Sequence, residues 1–142
     1  MNRKEFLKSS CQLCLLGAAG MFSTTLLSSC GAAKTAAYRV PVLDGSIRVP
    51  LAVLEADGSK VLRPQGWDYD IAVHKNEDHY EALLLRCTHM ENPLFPAGKG
   101  WVCHQHGSVF DADGRVRKGP AEKALTRYRT AVVGDDLLIY TT

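Results

Sequence analysis

The sequence predicts a mainly β domain that follows an amino-terminal segment of different character. Short runs rich in β-branched, aromatic and leucine residues recur from Tyr38 onward, and Gly, Pro, Asn and Asp separate them. No segment in this part sustains the 3.6-residue apolar period of an amphipathic helix. With 142 residues, 46% of them hydrophobic, the chain has room for one domain with one core.

Eight strands are predicted in chain order between these turn residues. They span 47–54, 60–62, 69–74, 81–86, 100–103, 115–117, 125–133 and 137–141. Turns are predicted at Asp57-Gly58, Asp113-Gly114 and Gly134-Asp135, because Asp and Gly are favoured in tight connections. The last turn predicts a hairpin that closes the sheet with the carboxyl terminus.

The overall charge is weak. The chain has 17 Lys and Arg residues against 15 Asp and Glu residues, a formal net charge of +2, and no basic stripe is evident. A protein that binds nucleic acid normally carries a basic surface. We therefore expect no nucleic-acid partner.

The first 29 residues have the layout of a signal peptide. Arg3, Lys4 and Lys8 precede an apolar stretch over 13–27. The sequence Leu27-Ser28-Ser29-Cys30-Gly31 then resembles a bacterial lipobox, which predicts cleavage before Cys30 and lipidation of its thiol. An uncleaved membrane anchor is the alternative, because the apolar region is nearly long enough to span a bilayer.

This leader predicts a location in the bacterial cell envelope. Residues 30–37 would form a lipid-anchored tether on the periplasmic side of a membrane, and 38–142 would form the domain. The stretch from Arg3 to Lys8 also resembles a twin-arginine export motif, with Lys4 in place of the second arginine. Cys11 and Cys14 have a redox-like spacing, but they lie inside the leader and are interpreted as small apolar residues.

Two short segments of the domain carry metal-ligand chemistry. Cys87-Thr88-His89 follows the apolar run 83–85, and Cys103-His104-Gln105-His106 follows Trp101-Val102. Each segment offers a thiolate, which suits ferric iron, and an imidazole, a neutral donor that makes a cluster less negative. Because the neighbours are histidines rather than cysteines, a metal site competes strongly with a disulfide as the interpretation.

These segments resemble the Rieske iron–sulfur family, whose pattern is Cys-x-His followed, after a gap, by Cys-x-x-His. The likeness extends over 80–141 and includes 107–111, 114–116 and 119–121. The resemblance implies an antiparallel β-sandwich or barrel with two loops that bind one [2Fe–2S] cluster. It further implies that Cys87 and Cys103 bind one iron, and that His89 and His106 bind the other.

The chain departs from respiratory Rieske proteins, which usually carry a disulfide between their cluster loops. Asn92 and Gln105 stand at the matching positions, so hydrogen bonds and packing are expected to hold the loops. Ser108 matches the serine that, in high-potential members, donates a hydrogen bond to a cluster sulfur. Its hydroxyl serving only the backbone is the alternative. Phe110 stands where those members have tyrosine, and an intermediate potential is expected.

The other histidines are weaker candidates. His104 adjoins Cys103, but the family spacing favours His106 and leaves His104 as an exposed polar residue. His74 and His79 flank a predicted hairpin turn and are not expected to bind metal.

Several apolar residues have two possible roles. A set near the ligands is interpreted either as a docking rim or as core: Met90, Leu94, Phe95 and Pro120. Trp67 and Trp101 are expected to be core residues.

The expected function is one-electron transfer by a membrane-tethered carrier or a subunit of an oxidoreductase complex, rather than stand-alone catalysis. Its partner would be a cytochrome, a quinol-oxidising complex or another oxidoreductase. A ferredoxin-like component of an oxygenase or reductase is the first alternative, favoured by the missing disulfide cysteines and opposed by the leader. A structural zinc domain is the second, because two Cys and two His also form a tetrahedral zinc site.

Overall fold

The structure, a computed structural model, describes residues 36–56 and 58–142. The predicted signal peptide over 1–29 and the predicted lipidation residue Cys30 lie outside the described residues. Within the described ranges, no helix has the length and apolar character needed to cross a bilayer.

The described residues form eleven strands and one short helix. The elements are β1 (Tyr38–Val40), β2 (Ser46–Pro50), α1 (Leu51–Glu55), β3 (Ser59–Pro64), β4 (Ile71–Asn76), β5 (His79–Leu84), β6 (Phe95–Ala97), β7 (Gly100–Val102), β8 (Val109–Phe110), β9 (Val116–Lys118), β10 (Arg127–Val133) and β11 (Asp136–Tyr140).

Seven strands form a large sheet in the order β1-β3-β4-β5-β10-β11-β2. The β1–β3 pair is parallel, and the other neighbours are antiparallel. The edge strands β1 and β2 approach each other, so the sheet is nearly closed into a barrel. The predicted mainly β fold with a sandwich or barrel architecture is confirmed.

A small antiparallel sheet, in the order β6-β7-β8-β9, carries the two cysteine–histidine segments. One segment lies on the connection from β5 to β6, and the other lies between β7 and β8. Two connections of the fold therefore present the residues that the sequence singles out.

Strand β5 and its continuation separate two hydrophobic cores. Ala82 and Leu84 pack into the first core, inside the large sheet, whereas Leu83 and Leu85 pack into the second core with Cys87. This alternation follows from the two-residue period of a strand, and it explains why the sequence is continuously apolar here. The second core lies directly beneath the two segments.

The strand predicted over 47–54 is wrong in its second half. Strand β2 ends at Pro50, and Leu51–Glu55 form α1. The apolar side chains are nonetheless used for packing: Leu54 is buried, and Leu51 and Val53 lie against the first core. A run of four apolar residues does not distinguish a buried strand from a helical turn.

The terminal hairpin is confirmed. Val133 pairs with Asp136, so Gly134 and Asp135 form a two-residue loop, and Gly134 has a φ of 60° that glycine adopts without steric cost. Three short strands, β1, β6 and β8, were not predicted. They have only two or three residues, and β6 contains Pro96, which weakens a strand prediction.

Candidate metal centre

The two segments form loops with the same backbone pattern, the first loop over 87–92 and the second loop over 103–108. In the first, the Cys87 carbonyl accepts a hydrogen bond from the Glu91 N–H (2.8 Å), and the Cys87 N–H donates to the Asn92 carbonyl (2.8 Å). In the second, the Cys103 carbonyl accepts from the Gly107 N–H, and the Cys103 N–H donates to the Ser108 carbonyl, both at 2.9 Å.

The two cysteines are buried together in the second core. Cys87 and Cys103 are each 1% exposed, and both are free thiols. They therefore form no disulfide with each other in the structure. Their burial excludes water from the sulfur atoms, which suits thiolates that bind a redox metal.

The two loops bring two imidazole rings into edge-on contact. His89 and His106 are exposed, and their ring centroids lie 5.0 Å apart with the ring planes at 90°. His104 turns elsewhere, since its ring lies 4.9 Å from the ring of Phe95. The structure thus brings His106, and not its neighbour His104, next to His89.

This arrangement fits a [2Fe–2S] cluster of mixed ligation. Two buried thiols and two exposed imidazoles, delivered by two loops of matching geometry, form a donor set that would suit such a cluster, with sulfur ligands for one iron and nitrogen ligands for the other. The comparison with known families agrees, because the model of the Rieske [2Fe-2S] domain matches residues 51–129, more than half of the chain.

The chain belongs to the Rieske [2Fe–2S] family. Its curated relatives include the mitochondrial Rieske subunit of the cytochrome b-c1 complex from Gallus gallus, 39% identical over 88 residues, which are 60% of this chain and 31% of that protein. The ubiquinol-cytochrome c reductase iron-sulfur subunit of Rickettsia typhi is 42% identical over 55 residues, which are 37% of this chain and 31% of that protein. The chain therefore spans about a third of the length of these relatives.

Solved Rieske structures share the fold. The plasma-membrane Rieske protein of the cyanobacterium Synechocystis has a TM-score of 0.51 and 30% identity, over 63% of this chain and 93% of that chain. A chain from the complex of reduced oxygenase and oxidised ferredoxin of carbazole 1,9a-dioxygenase has a TM-score of 0.50 and 17% identity, over 70% of this chain and 95% of that chain. The second likeness bears on the fold alone.

Ser108 is fully buried beside the second loop. Its hydroxyl oxygen accepts a hydrogen bond from the Ala121 N–H at 3.0 Å. The backbone thus uses a lone pair of the oxygen and leaves the hydroxyl proton free to donate. The backbone role of Ser108 is thus observed, and the free hydroxyl proton is what donation to a cluster sulfur would require.

Two hydrogen bonds attach the first loop to other parts of the domain. The Thr88 hydroxyl donates to the Lys123 carbonyl, and the Tyr69 hydroxyl donates to the Glu91 carbonyl, both at 2.6 Å. Neither contact was predicted from the sequence, because they join residues 35 and 22 positions apart. No local pattern marks such long-range pairs.

The apolar residues near the loops divide between the two roles considered. Met90 is 59% exposed and Phe95 is 47% exposed, whereas Leu94 is buried in the second core. Pro120 is exposed. Met90, Phe95 and Pro120 thus remain available to a partner, and Leu94 is core.

The two tryptophans pack as expected. Trp67 contacts the first core and lies edge-on to Tyr128, at a centroid distance of 6.2 Å. Trp101 packs against the second core.

A second group of metal-ligand type, His74, Glu81 and Asp113, lies apart from the loops. Arg127 already occupies it: its Nη1 lies 2.5 Å from a Glu81 carboxylate oxygen, and its Nη2 donates to the Asp113 carbonyl at 3.0 Å. A metal cation would meet the guanidinium charge there. We assign these residues to a structural ion-pair network.

This network makes stability depend on pH. Burial acts to raise the pKa of Glu81, but hydrogen bonds from Arg127 and Asn76 and the charge of Arg127 together hold that pKa below its usual value. A carboxyl with a lowered native pKa stabilises the fold at neutral pH and loses that contribution as pH falls through the lowered value. Glu81→Gln should cost about 1–3 kcal/mol at neutral pH.

Denaturation of both proteins across pH measures this effect. The difference in the free energy of unfolding between wild type and Glu81→Gln should shrink below about pH 4. Glu122→Gln, at an exposed position, is the control and should show no such trend. A difference that stays constant down to low pH would contradict the assigned role of Glu81.

Proposed function

We propose that this chain transfers single electrons through a [2Fe–2S] cluster held by Cys87, Cys103, His89 and His106. The observation that carries the proposal is that the two loops bear two thiols buried in one core and two exposed imidazoles 5.0 Å apart. When bound, the cluster supplies a reversible one-electron couple. The protein supplies the ligands, the dry environment of the thiols and the exposed face through which electrons pass.

The burial of the ligands suggests how electrons enter and leave. The cysteines lie within the second core, whereas the imidazole rings of His89 and His106 reach the surface. A partner that docks on this face approaches the histidine side without having to open the core. Met90 and Phe95 would provide apolar contact area around the rings.

We further propose that the domain is lipid-anchored in the bacterial envelope through Cys30. The support is the amino-terminal sequence, with its basic start, its apolar stretch and the lipobox-like residues before Cys30. The partner would be a cytochrome, a quinol-oxidising complex or another oxidoreductase. Relatives named as ubiquinol-cytochrome c reductase iron-sulfur subunits support a redox partner of this kind.

Cell fractionation tests this location. The wild-type protein should be found in the membrane fraction, with a lipid-modified Cys30 detectable by mass spectrometry, and Cys30→Ala should prevent the modification. A wild-type protein that remains in the cytoplasm with an intact leader would contradict the anchor. It would instead favour the alternative function as a ferredoxin-like component of an oxygenase or reductase.

Ser108→Ala tests the proposed environment of the cluster. The serine proton stabilises the reduced, more negative state, so its removal should lower the midpoint potential by about 60 mV, which corresponds to about 1.4 kcal/mol for one electron. Stability should fall as well, because the buried Ala121 N–H loses its acceptor. The potential is the decisive readout, and an unchanged value would leave Ser108 with the backbone role only.

A further inference from the structure

Tyr69 connects the first loop to the large sheet. It lies between β3 and β4, and its ring packs against the first core. Its hydroxyl oxygen lies 2.6 Å from the backbone carbonyl oxygen of Glu91. Because a carbonyl only accepts, the phenol must donate, and its proton is committed to this bond.

Glu91 directly follows the turn over 88–90 in the first loop. It has a φ of 54°, in the left-handed region that side chains other than glycine rarely adopt. Its N–H donates to the Cys87 carbonyl at 2.8 Å, while its own carbonyl accepts from Tyr69. The strained residue is thus held on both sides, as an uncommon backbone conformation requires.

Arg86 connects the same two residues through their side chains. Its guanidinium lies 3.1 Å from a Glu91 carboxylate oxygen and 5.8 Å from the centre of the Tyr69 ring. An exposed ion pair contributes little alone. Here the ion pair adds to the hydrogen bonds that hold Glu91 at one end of the first loop.

The second loop needs no such support. Gly107 occupies the equivalent position, with a φ of 78° and an N–H that donates to the Cys103 carbonyl. Glycine adopts this conformation without steric cost. Within 36–56 and 58–142, no side-chain hydroxyl donates to the Gly107 carbonyl. The second loop, at Gly107, therefore serves as an internal control for the effect of Tyr69 on Glu91 in the first loop.

We propose that Tyr69 is a positioning residue for the metal centre. By holding Glu91 it keeps Cys87 and His89 in the geometry that retains the cluster. The two described cysteines are both free, so no disulfide performs this task within the described part of the chain. This proposal rests on the ligand set proposed above.

Hydrogen exchange of the loaded full-length protein tests the local bond. In Tyr69→Phe, the backbone amide of Glu91 should exchange about five- to tenfold faster, the change expected for one lost hydrogen bond. The Gly107 amide should keep its wild-type rate. Equal acceleration of both amides, or of neither, would overturn the proposal.

Cluster release to a chelator, followed by visible absorbance, tests the consequence. Tyr69→Phe should lose its cluster at least about fivefold faster than wild type, while far-ultraviolet circular dichroism remains unchanged. Tyr128→Phe is the matched control: Tyr128 also packs on the first core, and no described residue forms a hydrogen bond with its hydroxyl. It should release the cluster at the wild-type rate.

The outcomes separate this proposal from the proposed function. A wild-type protein without iron would contradict the ligand set. A loaded wild type with unchanged release in Tyr69→Phe, or with the same increase in Tyr128→Phe, would refute the positioning role alone.

Discussion

Replacing Cys87 or Cys103 with serine should abolish the [2Fe–2S] cluster, with iron content reduced more than about tenfold. Each thiol is 1% exposed at the base of its loop, and no other described cysteine can replace it. Because metal binding and folding are coupled, the unloaded variants should also unfold at lower temperature or denaturant concentration than the loaded wild type. Iron analysis and thermal denaturation measure the two effects.

The histidines provide a matched comparison for this prediction. His106→Gln should destroy the native cluster spectrum, because His106 shares the exposed face with His89. His104→Gln changes a neighbouring ring that instead lies against Phe95, and it should retain the cluster. If His106→Gln keeps the cluster and His104→Gln loses it, the histidine ligand of the second loop is assigned to the wrong residue.

Gly100→Ala should be the most damaging substitution outside the ligands, with a cost of about 3 kcal/mol in the free energy of unfolding. A Cβ at Gly100 would collide with the backbone carbonyl oxygen of Phe110. Strands β7 and β8 would have to separate, although Trp101 pairs with Phe110 across them. Since these strands carry the second loop, cluster content should fall as well.

Gly119→Ala is the control for this prediction. The nearest atoms to a Cβ at Gly119 belong to Ala121 and lie 3.9 Å away, which is ordinary contact. Urea denaturation of the two variants should therefore show a large loss for Gly100→Ala and a small one for Gly119→Ala. Equal losses would contradict the explanation by steric collision.

The sequence predicts the mainly β fold and the apolar environment of the site because these depend on local patterns. The run over 83–85 fits a buried strand, and the structure places its alternate residues in two cores. The same reasoning fails at 51–54, where a short apolar run forms a helical turn instead of a strand. That run is too short to show whether its apolar pattern has the period of a strand or of a helix.

The candidate site was also only partly predictable. Cysteine and histidine spacing singled out Cys87, His89, Cys103 and His106, and the structure brings the two histidine rings together and buries the two thiols. Tyr69 and Thr88 were missed because their partners, the carbonyls of Glu91 and Lys123, are remote in sequence. Any residue offers a backbone carbonyl, so no residue type identifies such a partner.

Iron and sulfide analysis of the purified protein, combined with electron paramagnetic resonance after reduction, tests the central claim most directly. The account predicts two irons and two inorganic sulfides per chain and the rhombic signal of one reduced [2Fe–2S] cluster. A colourless protein that contains one zinc ion and no iron would contradict it, since two cysteines and two histidines also suit a tetrahedral zinc site.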